Sequence, residues 1–145
     1  MSANTTPLRV FLFPREPLDA FHLRRAIGRS FERCFVDVLE QSLAGLRTAR
    51  AVVRRGAALP GLVLFEQPQR DAKSLEILGR IRSLPELAAF PLLILGDATE
   101  PMASRTAFRD GADGFVARPE GDAELPRLGR DVARFWWRRH LSKSA

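Results

Sequence analysis

The chain holds a single cysteine, Cys34, and only two histidines, His22 and His140, among its 145 residues. One thiol excludes an intramolecular disulfide framework and any zinc site built from several cysteines. The two histidines stand too far apart, and too unsupported, to suggest a metal site; His22 is expected at the surface and Cys34 as an inert buried thiol. Long apolar runs are missing too, since nothing approaches the roughly 18 to 20 consecutive apolar residues of a membrane helix. The opening MSANTTPLRVFLF lacks the basic, apolar and small-residue order of a signal peptide, so a cytoplasmic protein without membrane attachment is expected. GxxxxGK, GxSxG, HExxH and paired CxxC patterns are all absent, which removes the common nucleotide, hydrolase and zinc signatures.

What is present is an ordinary globular composition, 46% hydrophobic and 28% charged. A chain of this length buries enough surface to hold one domain without a metal or disulfides. Its charge is less ordinary: 23 basic against 17 acidic residues give +6, with a pI near 11.1. Such a balance raises a nucleic-acid or anionic-surface reading. The distribution weakens it. Residues 1–60 carry 10 basic and 5 acidic residues, 61–120 carry 7 and 9, and 121–145 carry 6 and 3. The basic residues alternate with apolar ones at helical spacing, as on solvated helix faces, and form no compact block. No helix-turn-helix, zinc-finger or RNA-stacking motif is visible, so a basic nucleic-acid-binding regulatory protein stands as the alternative reading.

Two kinds of segment alternate along the chain. Leu8 to Phe13, Phe35 to Leu39, Gly61 to Phe65, Pro91 to Leu95 and Gly114 to Ala117 are short, nearly continuous apolar runs, which fit strands buried on both faces of a parallel sheet. Helical patterns lie between them: Pro17 to Phe31, about Leu43 to Arg55, Ser74 to Ile81, about Glu100 to Arg109, and Asp122 to Trp137. Ala20, Leu23, Ile27 and Phe31 form one apolar stripe on the first helix, and Gly56 and Gly111 sit where helices should stop. Five strand–helix alternations predict an α/β domain over residues 7–140, with loose tails at 1–6 and 141–145.

PGLVLFEQPQRDAKSLEILGRIRSLPELAAFPLLILGDA, followed by FRDGADGFVARPEGDAELPRL, resembles the receiver domain of two-component response regulators. The likeness extends from about Leu8 to Trp137; GADGFVARP, with its aromatic and its basic residue before proline, carries it in register. The resemblance implies a flavodoxin-like three-layer sandwich, a five-stranded parallel sheet of order 2-1-3-4-5 with helices on both faces. Its functional crevice would lie at the carboxyl ends of strands 1, 3, 4 and 5. The family's chemistry is Mg²⁺-assisted phosphorylation of an aspartate ending strand 3, which needs carboxylate ligands, a nucleophilic carboxylate, a hydroxyl and a cation.

Laid on the family pattern, every one of those positions is altered. Pro14 and Arg15 stand where the metal-binding acids follow strand 1, with Glu16 one place later. Glu66 occupies the phosphoacceptor position, and Gly96 that of the hydroxyl, with Asp97 beside it. Arg118 replaces the lysine, keeping the charge as a bidentate fork, and Phe115 retains the switch aromatic. The resemblance therefore implies a degenerate, pseudo-receiver pocket in which Arg15 and Arg118 face Glu66, no Mg²⁺ or other cofactor is held, and no catalysis is carried out. Residual phosphorylation at Glu66 or Asp97 would be the enzymatic exception. A Glu66–Arg118 ion pair that fixes one state is set against a drifted site with no state preference, and binding of a small anion is a further option.

Docking surfaces are the remaining expectation. On the last helix Leu125, Leu128, Val132, Phe135 and Trp136 fall on one arc, while Arg127, Arg130, Arg134 and Arg138 share the opposite arc with Trp137 at its margin. Tryptophan among arginines suits an interface. Phe21, beside Arg25 on the first helix, poses the same question, and the resemblance implies a histidine kinase, phosphotransfer or output protein as partner. A homodimer through the last strand and last two helices is also open. On this reading part of the +6 belongs to the altered pocket, and only weakly to a polyanionic partner.

Overall fold

The computed structural model describes residues 7–56 and 58–144. Five strands, β1 (Leu8–Phe13), β2 (Cys34–Val38), β3 (Gly61–Gln67), β4 (Leu92–Gly96) and β5 (Gly114–Ala117), pair in parallel in the order β2-β1-β3-β4-β5. Helices α1 (Pro17–Arg29), α2 (Leu43–Arg55), α3 (Ala72–Ser83), α4 (Pro85–Ala88), α5 (Ala103–Arg109) and α6 (Leu125–Ser144) fill the connections. The flavodoxin-like sandwich and strand order implied by the resemblance are those observed.

Strand alternation explains the three layers. Leu8, Val10 and Leu12 of β1, with Leu62, Leu64, Leu93 and Leu95, join Leu23 and Ile27 of α1 and Leu128, Val132 and Trp136 of α6 in one core. Phe11, Phe13, Val63, Phe65, Leu92 and Ile94 point the other way, into a second core with α2, α3, α4 and Ala107 of α5. A strand buried on both faces is apolar at nearly every position, which is why these runs read as nearly continuous. The edge strand β2 departs from that: Phe35 and Val38 are exposed because β1 covers only one of its sides. Cys34 at its start is half-buried, and burial pushes its thiol above the ordinary range.

Several boundaries differ from the sequence reading. β3 continues to Gln67, so Glu66 lies inside the strand, in register with Leu95. The short α4 was not expected; Pro85 opens it, and its Glu86 carboxylate receives Arg50 and Arg54 from α2. α5 begins only at Ala103, after a turn that holds Met102 at φ 60°. Residues 122–124 form a 3-10 turn ahead of α6, which passes Trp137 and runs to Ser144. Residues 141–144, expected as a tail, therefore continue helical backbone; residues 1–6 and 145 lie outside the described residues. Gly111 needs its left-handed φ of 106° to turn the chain from α5 into β5. No helix among the described residues is long and apolar enough to cross a membrane.

Candidate functional site

The carboxyl ends of β1, β3, β4 and β5 converge on one buried acid. Glu66 is 2% exposed, and both of its carboxylate oxygens are engaged. The backbone N–H of Arg15 donates to Oε1 at 2.7 Å, and Nε of Arg118 donates to Oε2 at 2.9 Å. Arg118 is aimed by its own backbone, whose N–H donates to the carbonyl of Gly96 at 2.9 Å as β5 ends. Gln41 braces the opposite side: its Nε2 donates to the carbonyls of Phe13 and Glu66 at 2.9 and 2.7 Å, tying the ends of β1 and β3 together. A buried carboxylate is tolerated only when its lone pairs are met in this way.

Arg15 does not turn its guanidinium to Glu66 as expected from the sequence. Its backbone amide takes the near oxygen, and the side chain reaches Asp71 at 3.3 Å. Asp71 is the N-cap of α3 and accepts from the amide of Ser74 at 2.8 Å, a bond that, with the Ser74 side chain and nearby Arg15, holds its carboxyl below the ordinary value of 3.8. Glu66 therefore faces one guanidinium and one amide, while the second guanidinium serves the β3–α3 connection. Pro14 is buried, and Glu16 is exposed at the N-cap of α1 without a side-chain capping bond.

At the end of β4, Gly96 presents no side chain, and the space is already occupied. A Cβ added there would lie 2.6 Å from Cε2 of Phe115, the half-buried aromatic of β5. Asp97 turns away into a local loop, where Thr99 donates its hydroxyl at 2.6 Å and its amide at 2.9 Å. Those bonds, helped by the charge of Arg118, hold the Asp97 carboxyl below its ordinary value.

A hard divalent cation requires several free oxygen donors. Here Pro14 and Arg15 offer no side-chain oxygen, Glu66 is neutralised by Arg118, and Asp97 is engaged by Thr99. Among the described residues no group of three or more acids, histidines or cysteines could hold a metal ion. These residues do not fit Mg²⁺.

The candidate docking residues lie apart from this pocket. Phe21 on α1 is 64% exposed, and Arg25 is exposed beside it. On α6 Leu128, Val132 and Trp136 are buried, Leu125 and Phe135 half-buried, and Arg130, Arg134 and Arg138 exposed. Arg127 differs from that stripe, because Glu124 and Asp131 hold it at 3.1 and 2.9 Å. Trp137 is 40% exposed, its ring edge-on to His140. Sequence reasoning missed Gln41, Asp71 and Thr99. Asp71 carried a local signal, an acid three residues before Ser74 at a helix start, whereas the Gln41 contact spans 25 residues and left none.

No protein-family model and no curated protein matches the chain. Solved structures do. A response regulator receiver domain from Rhodospirillum rubrum superposes with a TM-score of 0.68 at 16% identity, covering 88% of this chain and 92% of the other. The phosphorylated cyanobacterial phytochrome response regulator RcpA gives 0.64 at 17% identity, with 89% and 93% covered. The receiver domain of the TMAO respiratory system response regulator TorR gives 0.63 at 23% identity, with 91% and 98% covered. The fold is that of a response regulator receiver domain. On the receiver fold, the Glu66 cluster occupies the crevice at the carboxyl ends of the strands, where ligands of open α/β sheets sit.

Proposed function

We propose that this chain is a receiver-like signalling module of the two-component type that works by binding protein partners without being phosphorylated. The observation that carries the reading is the buried Glu66 carboxylate, held on one oxygen by the Arg15 amide and on the other by the Arg118 guanidinium. By the resemblance, position 66 is the phosphoacceptor and position 118 the cation that would hold a phosphoryl oxygen. Here the two are bonded to each other. With one donor on each oxygen and its charge opposed by Arg118, the carboxylate is held away from nucleophilic attack, and position 96 supplies no hydroxyl for a phosphoryl oxygen. Glu66 and Arg118 thus hold the pocket in one arrangement, leaving helix faces as the means of signalling.

Isothermal calorimetry of the full chain with MgCl₂ at near-physiological salt tests this. No heat beyond dilution is expected. Saturable Mg²⁺ binding that Glu66→Gln abolishes would overturn the reading, because it would show that Glu66 leaves Arg118 for a metal.

A further inference from the structure

α1 and α6 lie side by side on one face of the sheet and touch closely. A Cβ at Gly129 would fall on the Ser30 hydroxyl and 2.8 Å from the carbonyl oxygen of Ala26, so the backbone of α6 packs there directly against the end of α1. Along the outer side of that contact runs a groove of about 750 Å³ whose apolar floor includes Ala26, Leu125 and Ala133. Its rim is cationic: Arg25 and Arg29 from α1 and Arg130 from α6 are exposed, and none of the three has an ion-pair partner among the described residues. Asp122, at one end, is the single carboxylate in the lining.

Helical spacing places an exposed apolar side chain beyond each end of the groove, Trp137 in the neighbouring cleft with Phe31 and Pro60. Leu18 stands four and seven residues before His22 and Arg25, on the same face of α1, and is 87% exposed. Trp137 stands four and seven residues after Ala133 and Arg130 on α6. Gly129 stands level with Ala26 to Ser30, so the ends at Leu18 and Trp137 lie about 27 Å apart along the helices, close to five turns of a partner helix at 1.5 Å per residue.

We infer that this groove is the docking site for an acidic amphipathic helix of a partner protein, with carboxylates meeting Arg25, Arg29 and Arg130 and apolar residues covering Leu18 and Trp137. The inference rests on the proposed protein-docking role and names the partner's chemistry. Charge complementarity sets the sign of the partner. The apolar floor and ends select a protein helix, since a phosphate backbone has nothing to bury against Leu18, Trp137 or Ala133 and a bilayer surface is too broad to enter a groove between adjacent helices.

The test uses the full chain and a labelled helical peptide of about 20 residues, with leucines near both ends and glutamates along the face between them. Anisotropy should show micromolar binding that weakens as salt rises and falls about tenfold or more in Arg25→Glu and Arg130→Glu. Arg105→Glu on α5 should leave it unchanged. Absence of binding at about 1 mM peptide, indifference to the reversals, or tighter binding of duplex DNA or phosphatidylglycerol vesicles would overturn the assignment. Such a failure beside a flat Mg²⁺ titration would remove the groove inference and leave the reading of the pocket standing.

Discussion

Replacing Arg118 by alanine should be the most costly single change at the pocket. It leaves the Glu66 carboxylate buried with only the Arg15 amide and no counter-charge. Removing one partner of a fully buried ion pair costs about 3–5 kcal/mol. Arg118 is 31% exposed, so water can enter where it stood. That relief brings the expected loss to about 2–3 kcal/mol. Glu66→Gln should cost less, about 1–2 kcal/mol, because the released guanidinium can turn to solvent while Arg15 keeps an acceptor. With both changes, Glu66→Gln and Arg118→Ala, much of the loss should be recovered, giving a coupling energy of about 1.5–2.5 kcal/mol. Urea unfolding followed by far-ultraviolet circular dichroism reads these values. With a slope of about 2 kcal/mol per M, Arg118→Ala should lower the midpoint by about 1–1.5 M. A loss under about 0.5 kcal/mol with no coupling, as for an exposed pair, would refute the claim that Arg118 holds Glu66 in place.

Introducing a hydroxyl residue by Gly96→Thr should destabilise the domain by about 1–3 kcal/mol, since its Cβ would meet the Phe115 ring at 2.6 Å. Adding Phe115→Ala should reduce the penalty of the threonine itself, as a thermal-denaturation cycle of the four proteins would show. Asp113→Ala should cost about 2–3 kcal/mol in urea unfolding, because Asp113 receives Arg82 at 2.9 Å and the Leu92 amide at 2.8 Å, joining α3 to the starts of β4 and β5. Asp71 and Asp97 have folded-state carboxyls held below 3.8, so the stability they contribute is present above that pH and is lost as pH falls through their folded values. Asp71→Asn should accordingly reduce the fall of the urea midpoint below about pH 4 relative to the unmodified chain.

Most of the fold could be read from local pattern. β1, β3 and β4 are buried on both faces, and burial of that kind writes itself into the chain as an unbroken apolar run. β2 has an equally apolar run yet exposes Phe35 and Val38, because nothing in a strand's own residues says which side will lack a neighbour. The four-residue α4 has too few turns for a periodic pattern; its Glu86 depends on arginines more than 30 residues away. The pocket was legible in composition and not in connectivity. Registering the chain on the receiver pattern placed Glu66, Gly96 and Arg118 together, but the same register could not show that Arg15 contributes its amide to Glu66 and its guanidinium to Asp71. That choice depends on backbone direction after β1, which spacing does not encode. The arginine stripe of α6 was likewise visible as a stripe, while the capture of Arg127 by Glu124 and Asp131 follows from rotamers that periodicity leaves free.

On the proposed reading the bonded Glu66 and Arg118 close the pocket to phosphoryl transfer. Intact-mass measurement of the full chain after incubation with acetyl phosphate and Mg²⁺ tests it most directly. The mass of the unmodified chain should not change. A phosphoryl adduct lost in Glu66→Gln would contradict it, showing that the carboxylate leaves Arg118 and acts as a nucleophile.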